Sequence, residues 1–192
     1  GAATVATVAK SCGVDSKVPA SLPAVALGAG AQCTPMEIAV AYATIAAGGV
    51  YSKPHLITKV KDASGKLLYR NAGQRKNAVA KNAADKLSAC LRDGAEGADL
   101  GADTAVRAGT AGTSDDSRDA WFVGYTKSLA CAVWCGRDDS VGLPGDGKEV
   151  AAPLWAKFMR AASAGGASGE RSHGKGGRSR RRLEKWRSVA VA

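Results

Sequence analysis

Two strand-like runs separated by only two residues constrain this chain more than any other feature. Ala120–Thr126 (AWFVGYT) and Leu129–Cys135 (LACAVWC) flank Lys127-Ser128. So short a connection leaves no room for a crossover, so the runs must lie side by side as antiparallel neighbours. Such an apolar pair needs cover, and amphipathic segments on either side can supply it.

Thr34 opens the clearest helix. It suits an N-cap, Pro35 suits the first helical position, and Glu37 stands three residues on, completing a capping box. Ile38, Ala41, Tyr42 and Ile45 then recur at helical spacing, and Gly48-Gly49 ends the run. Asn82 is placed to cap a second helix carrying Leu87, Cys90 and Leu91 and ending at Gly94. Pro153 starts another, with Trp155, Phe158, Met159 and Ala162 on the face that would cover the sheet. Residues 1–12 are Ala-rich and read as helix, and 13–33, with Pro19 and Pro23, as an irregular connection. His55–Lys61 and Lys66–Arg70 alternate apolar and polar residues around Asp62-Ala-Ser-Gly65, a hairpin signal. Thr104–Gly109 is a further strand-like run. The expected fold class is α/β (α+β), with an antiparallel sheet packed against helices.

The 192 residues are enough for one domain with a real core. Aromatics are 5% against 45% hydrophobic residues overall, so that core is expected to be built from small side chains. No run approaches the ~20 apolar residues of a membrane span, and no signal-peptide pattern opens the sequence. The net charge of +10 is uneven, with +6 of it from Ala164 onward. Two domains are expected: a folded part over 1–163 and a basic low-complexity tail over 164–192, read as disordered. Arg178, Arg180, Arg181, Arg182, Lys185 and Arg187, with Trp186 among them, leave two readings of the tail. One is a solvated, disordered segment, or non-native sequence from a disrupted reading frame. The other is a contact to a polyanion, such as an anionic lipid or wall polymer; nucleic acid is not the expected partner.

Five cysteines (12, 33, 90, 131 and 135) fit no zinc-ribbon spacing. Cys131 and Cys135 share a strand face ~13 Å apart, beyond the ~7 Å that a disulfide tolerates. They read as small buried hydrophobes. Asp115, Asp116 and Asp119 read as a solvated loop with Arg118 as counter-ion rather than a metal site. Neither His55 nor His173 has neighbours in a ligand pattern. Trp121, Phe122 and Tyr125 read as sheet packing. No cofactor or metal is expected.

The stretch from Ala108 to Thr126 reads AGTAGTSDDSRDAWFVGYT. It resembles the third signature block of penicillin-binding transpeptidases, where Ala-Gly-Lys-Thr-Gly-Thr precedes a strand reading Asp-Ala-Trp-Phe-Val-Gly-Tyr-Thr. Ala26-Leu27-Gly28, Cys33 to Tyr51, and Trp134 to Asp139 resemble further segments of that family in the right order, so the resemblance covers roughly residues 3–162. It is most like the bifunctional, class A members and only their C-terminal portion. It implies the end of a D,D-transpeptidase domain that cross-links peptidoglycan in cell wall biogenesis, outside the cytoplasmic membrane to which the parent protein is anchored. The implied partners are the peptidoglycan stem peptide and β-lactams.

In that family a serine of Ser-x-x-Lys attacks a D-alanyl-D-alanine amide and the lysine takes its proton. Ser-x-Asn passes the proton on, and the Lys-Thr-Gly strand binds the substrate edge. Carried over, the implied substrate-binding residues are Thr110, Ala111, Gly112 and Thr113. The chain departs from the pattern where it matters. Thr110 stands in the lysine place and Ala111 in the threonine place, removing a charge-assisted hydrogen bond worth roughly 1.5–3 kcal/mol. Ser172-His-Gly-Lys175 is the only Ser-x-x-Lys, and it falls in the tail. No serine fits Ser-x-Asn, and Tyr69-Arg-Asn71 ends a hairpin strand. No catalytic residue is therefore assigned, and the chain by itself is expected to be inactive. Two alternatives stand beside this reading: an edge strand that binds nothing at Thr110–Thr113, and a non-catalytic remnant that binds peptidoglycan or a polyanion through its tail.

Overall fold

A computed structural model describes residues 1–96, 98, 100–101, 105–166 and 187–191, the side chains of 165–166 and 187–191 excepted. Helix α1 (Ala2–Ser11) leads through a 3-10 turn (Pro23–Leu27) to α2 (Pro35–Ala46). Four short strands follow: β1 (Val50–Ser52), β2 (Lys59–Lys61), β3 (Leu67–Arg70) and β4 (Arg75–Asn77). Then come α3 (Lys81–Glu96), β5 (Ala108–Thr113), β6 (Asp119–Tyr125), β7 (Leu129–Gly136), α4 (Ala152–Gly166) and β8 (Arg187–Val191).

Strands β5, β6 and β7 are antiparallel neighbours, as the two-residue turn requires. Thr126 fastens that turn: its N–H donates to the Leu129 carbonyl at 2.8 Å, and its hydroxyl accepts from the Leu129 N–H at 3.2 Å. β8 joins the far edge in parallel, with Leu129 opposite Arg187, giving the order β5-β6-β7-β8. β1 pairs β4 and β2 pairs β3 in separate two-stranded ribbons.

Alternation splits the sheet into two faces. On one, Val123 and Ala132 meet Ala39 of α2, and Ala108, Tyr125 and Ala130 meet Ala43. On the other, Phe122, Cys131 and Val133 meet Trp155 and Met159 of α4. Trp155 and Phe122 stack edge to face at 5.2 Å, and the Trp155 indole N–H donates to the Cys131 carbonyl at 2.9 Å. The sheet is thus sandwiched between α2 and α4. Its α2 side uses alanines as contact residues, which lets helix and sheet approach closely.

The capping box at Thr34 forms as the sequence suggests, and Glu37 does more than cap. Its carboxylate accepts from the Thr34 N–H and hydroxyl, both at 2.8 Å, and from the Ser16 N–H and hydroxyl at 2.6 and 2.8 Å. This ties the irregular 13–33 segment to α2. Burial pushes the Glu37 carboxyl up, but the hydrogen bonds from Thr34 and Ser16 outweigh it and hold it down at about 2.

Three boundaries differ from the sequence reading. α3 starts on the Ala80 carbonyl, which accepts from both Ala83 and Ala84, so Asn82 lies inside the first turn. α3 also runs past Gly94 to Glu96. α4 is preceded by a π-turn (Gly147–Ala151) capped by Asp146, whose side chain accepts from the Lys148 and Glu149 N–H groups. That box starts the helical segment well before Pro153.

Candidate functional site

Thr110–Thr113 are the last four of the six residues of β5, which lies at the edge of the sheet. Thr104–Gly109 was the run expected to be extended; 102–104 lie outside the described residues, and the strand begins at Ala108. The reason is the partner. β6 reaches from Asp119 to Tyr125, and β5 pairs with it residue for residue from Ala108 opposite Tyr125 to Thr113 opposite Ala120.

Beyond Thr113 the Ser114 N–H donates to the Asp119 carbonyl at 3.0 Å, one position along the same register. Antiparallel pairing alternates, so Gly112 and Thr110 also direct their N–H and C=O groups at β6. Gly109, Ala111 and Thr113 direct theirs outward, away from the sheet. α3 covers the first of these. A Cβ on Gly94 would lie 2.6 Å from the Gly109 carbonyl oxygen, so the glycine lets the helix backbone rest on the strand edge. Past that crossing the edge opens. Among the described residues, no backbone bond from another element reaches Ala111 or Thr113.

The four side chains part company. Thr110 lies against Gly94, and its hydroxyl donates along the edge to the Ala111 carbonyl at 3.2 Å. The Ala111 methyl packs into the α4-side core. Gly112 is exposed, and a Cβ there would meet only the Trp121 Cβ, at 3.7 Å. The Thr113 hydroxyl accepts from the Gly147 N–H at 3.0 Å. Gly147 itself has to be glycine, because a Cβ would come 2.4 Å from the Trp121 carbonyl oxygen and 2.6 Å from that of Gly112. Gly94 and Gly147 therefore bracket the open edge. Sequence reasoning took Gly94 for a helix stop and passed over Gly147. The spacing of Asp146 and Glu149 ahead of an apolar run was the available signal for Gly147; Gly94 offered none.

The carboxylates near the motif divide by role. Asp119 accepts from the Trp134 indole N–H at 2.8 Å and from the Ser114 hydroxyl at 2.9 Å, so it braces the turn that follows the open edge. Asp116 pairs with Arg118 at 3.3 Å in solvent. Trp121 and Trp134 face each other across β6 and β7 at 6.4 Å. Among the described residues no group of His, Cys, Asp and Glu is placed to hold a metal ion. All five cysteines are free thiols, and burial pushes the Cys131 thiol up to about 12, which keeps it neutral. His55 is exposed near the Lys53 carbonyl. Tyr69 and Arg70 lie in β3, paired with β2 and away from the open edge. Ser172 and Lys175, His173 and the arginines from 178 to 182 lie outside the described residues.

Residues 9–160 match the family model of the penicillin binding protein transpeptidase domain. Among curated relatives, Penicillin-binding protein 1A of Mycolicibacterium smegmatis is 36% identical over 151 residues, covering 70% of this chain and 19% of that protein. Penicillin-binding protein 1A of Neisseria cinerea is 37% identical over 162 residues, covering 79% and 20%. The chain thus spans about a fifth of the relatives it matches. Among solved structures, PonA1 of Mycobacterium tuberculosis in complex with penicillin V is similar with a TM-score of 0.71 at 26% identity, over 97% of this chain and 55% of that one. An imipenem acyl-enzyme of penicillin-binding protein A from the same organism is similar with a TM-score of 0.66 at 25% identity, over 85% and 43%. No helix among the described residues is long and apolar enough to cross a membrane.

Proposed function

The chain belongs to the penicillin binding protein transpeptidase domain family, and from that premise we propose that it is the C-terminal portion of a class A D,D-transpeptidase that cross-links peptidoglycan by serine acyl transfer. The parent enzyme would work outside the cytoplasmic membrane, anchored to it, on peptidoglycan stem peptides, and would be acylated by β-lactams. This chain would contribute the strand against which the substrate lies: Thr110, Ala111, Gly112 and Thr113.

One observation carries the reading. Immediately past the α3 crossing, in the stretch that resembles the family's third signature, β5 offers an open edge of outward backbone groups at Ala111 and Thr113. An extended peptide can add to such an edge as a further strand, with main-chain hydrogen bonds giving affinity. Exposed Gly112 lets a ligand approach the backbone closely. Thr110 and Ala111 supply neither the cation nor the hydroxyl that the family directs at the substrate carboxylate, so binding here would rest on the backbone alone. The serine nucleophile and its base would come from outside residues 1–192, because the only Ser-x-x-Lys is Ser172–Lys175 in the tail.

The test is covalent labelling with a fluorescent penicillin, read by denaturing gel and intact mass. The expected result is no stable adduct on residues 1–192 alone, and a specific adduct when a chain carrying the family's first two motifs is co-expressed with it. An adduct on a serine of the isolated chain would overturn the assignment of the nucleophile. Failure of the co-expressed pair to label would overturn the assignment of the edge.

A further inference from the structure

At the opposite end of β5 from Thr113, two helices and the ends of two strands surround a pocket of about 380 Å3 that the transpeptidase reading leaves unused. α2 contributes Ile45, α3 contributes Asp85, Ser88 and Arg92, and the strand ends contribute Arg107 and Tyr125. The volume falls within the range of small-molecule sites, about 300–1,000 Å3. We infer that this pocket binds a small organic oxyanion, a phosphate monoester or a carboxylate, between the guanidinium groups of Arg92 and Arg107, with the Ser88 hydroxyl as a third donor.

Charge, donors and placement each support it. Neither arginine makes an ion pair among the described residues, whereas Asp85, the one acid in the lining, is already engaged by Lys81 at 2.6 Å. Among the described residues the pocket therefore holds two cations without an ion-pair partner. Guanidinium forks match the planar oxygen pairs of carboxylate and phosphate. At the base, Tyr125 is buried and its hydroxyl donates to the Ser88 oxygen at 2.8 Å. A hydroxyl that accepts from one side still has its own proton to give, so Ser88 can donate to a ligand while Tyr125 holds it in place. Both arginines lie close enough to act electrostatically on the Tyr125 phenol, whose titration burial raises and the two charges lower. The rest of the lining is the apolar end of α2, which suits the organic part of such a ligand rather than a bare ion.

The test uses the full chain and three probes, phenyl phosphate, benzoate and inorganic phosphate, titrated at constant ionic strength with chloride as the control anion. Binding is read by calorimetry and by the shift in Tm. The expected result is saturable binding of at least one organic probe, tighter than inorganic phosphate, and a loss of about tenfold or more in Arg92→Gln/Arg107→Gln. Both arginines are exposed, so the double variant should melt as the parent does without ligand. Ser88→Ala should weaken binding further. A stronger response to phenyl phosphate than to benzoate assigns a phosphate monoester, and the reverse a carboxylate. No saturable binding beyond chloride, or equal binding by the double variant, would overturn the proposal. Neither result touches the open edge of β5, which penicillin labelling tests separately.

Discussion

Strands β6 and β3 both carry large apolar side chains, but only β6 buries them. Phe122, Val123 and Tyr125 of β6 are at most 5% exposed, whereas Leu67, Leu68 and Tyr69 of β3 are 47–61% exposed. Each strand is paired, so hydrogen bonding does not separate them. Layers do. β6 has a neighbour on both edges and a helix on each face, while β3 pairs with β2 alone and, among the described residues, has no helix layered on it as α2 and α4 are on β6. Pairing creates a strand; a second layer is what removes its side chains from water. The candidate substrate edge belongs to the layered region, which gives Ala111–Thr113 a rigid backing that a free ribbon would lack.

The sharpest way to break this comparison is to cut one large side chain from each region. Trp155→Ala removes the fully buried indole that stacks on Phe122 and bonds the Cys131 carbonyl, and should cost about 3–5 kcal/mol. Leu68→Ala should stay within about 0.5 kcal/mol. Urea melts of both variants measure the difference. Equal losses would mean that the β2–β3 ribbon is packed in solution.

A smaller effect separates glycines within the layered region. Alanine at Gly94 or Gly147 puts a methyl within 2.6 Å of a backbone oxygen, and overpacking of this kind costs about 1–3 kcal/mol. Gly112→Ala meets nothing closer than 3.7 Å and should leave stability intact. The set tells whether glycines around the site serve the fold or the ligand. If Gly112→Ala melts normally yet abolishes penicillin labelling of the reconstituted pair, Gly112 serves the ligand.

Smaller again, and dependent on pH, is the Glu37 tie. Its carboxyl sits at about 2 in the folded chain against an ordinary 4.5. Since the folded value is depressed, its contribution is fully present above about pH 4.5 and is lost as pH falls toward 2. Glu37→Gln should therefore be the less stable protein at neutral pH, with the gap to the parent closing across that window. Urea midpoints at pH 7, 4 and 3 would show it. A gap that stays constant down to pH 3 would mean that the four hydrogen bonds do not hold in solution.

What could be read from residues alone follows the same division between pairing and layering. The β6–β7 hairpin was legible because two turn residues permit one arrangement, and α2 because Thr34, Pro35 and Glu37 act within four residues of one another. The sheet-covering face of α4 was legible from Trp155 and Met159. Non-local features were not. Gly94 looks like a terminator in its own helix; only the Gly109 carbonyl across the gap shows why it is there. β5 was read four residues early because an Ala-Gly-Thr repeat carries little strand signal of its own, and its limits come from β6. The lining of the Arg92–Arg107 pocket is scattered from residue 45 to residue 125 and has no sequence pattern. The apolar alternation of β2 and β3 suggested a hairpin correctly and said nothing of whether it would be covered.

That last point carries the smallest expected change in stability. Leu56, Ile57, Leu67, Leu68 and Tyr69 all stand in solvent on or beside the ribbon, Leu56 at 97% exposure. A two-stranded ribbon has two open edges, and apolar residues along such edges favour pairing with other chains. Replacing Leu56 and Leu68 together by Lys should leave the urea midpoint within experimental scatter, because neither side chain is buried. The same change should raise the concentration at which the protein stays monomeric in light scattering. A drop in midpoint instead would show that the ribbon folds back on the core, and the contrast between β6 and β3 would then be one of degree. An unchanged midpoint with unchanged self-association would leave the ribbon exposed but inert, and would move the search for aggregation to the exposed apolar residues of the helices, such as Val5 and Val8 on α1, Leu87 on α3 and Leu154 on α4.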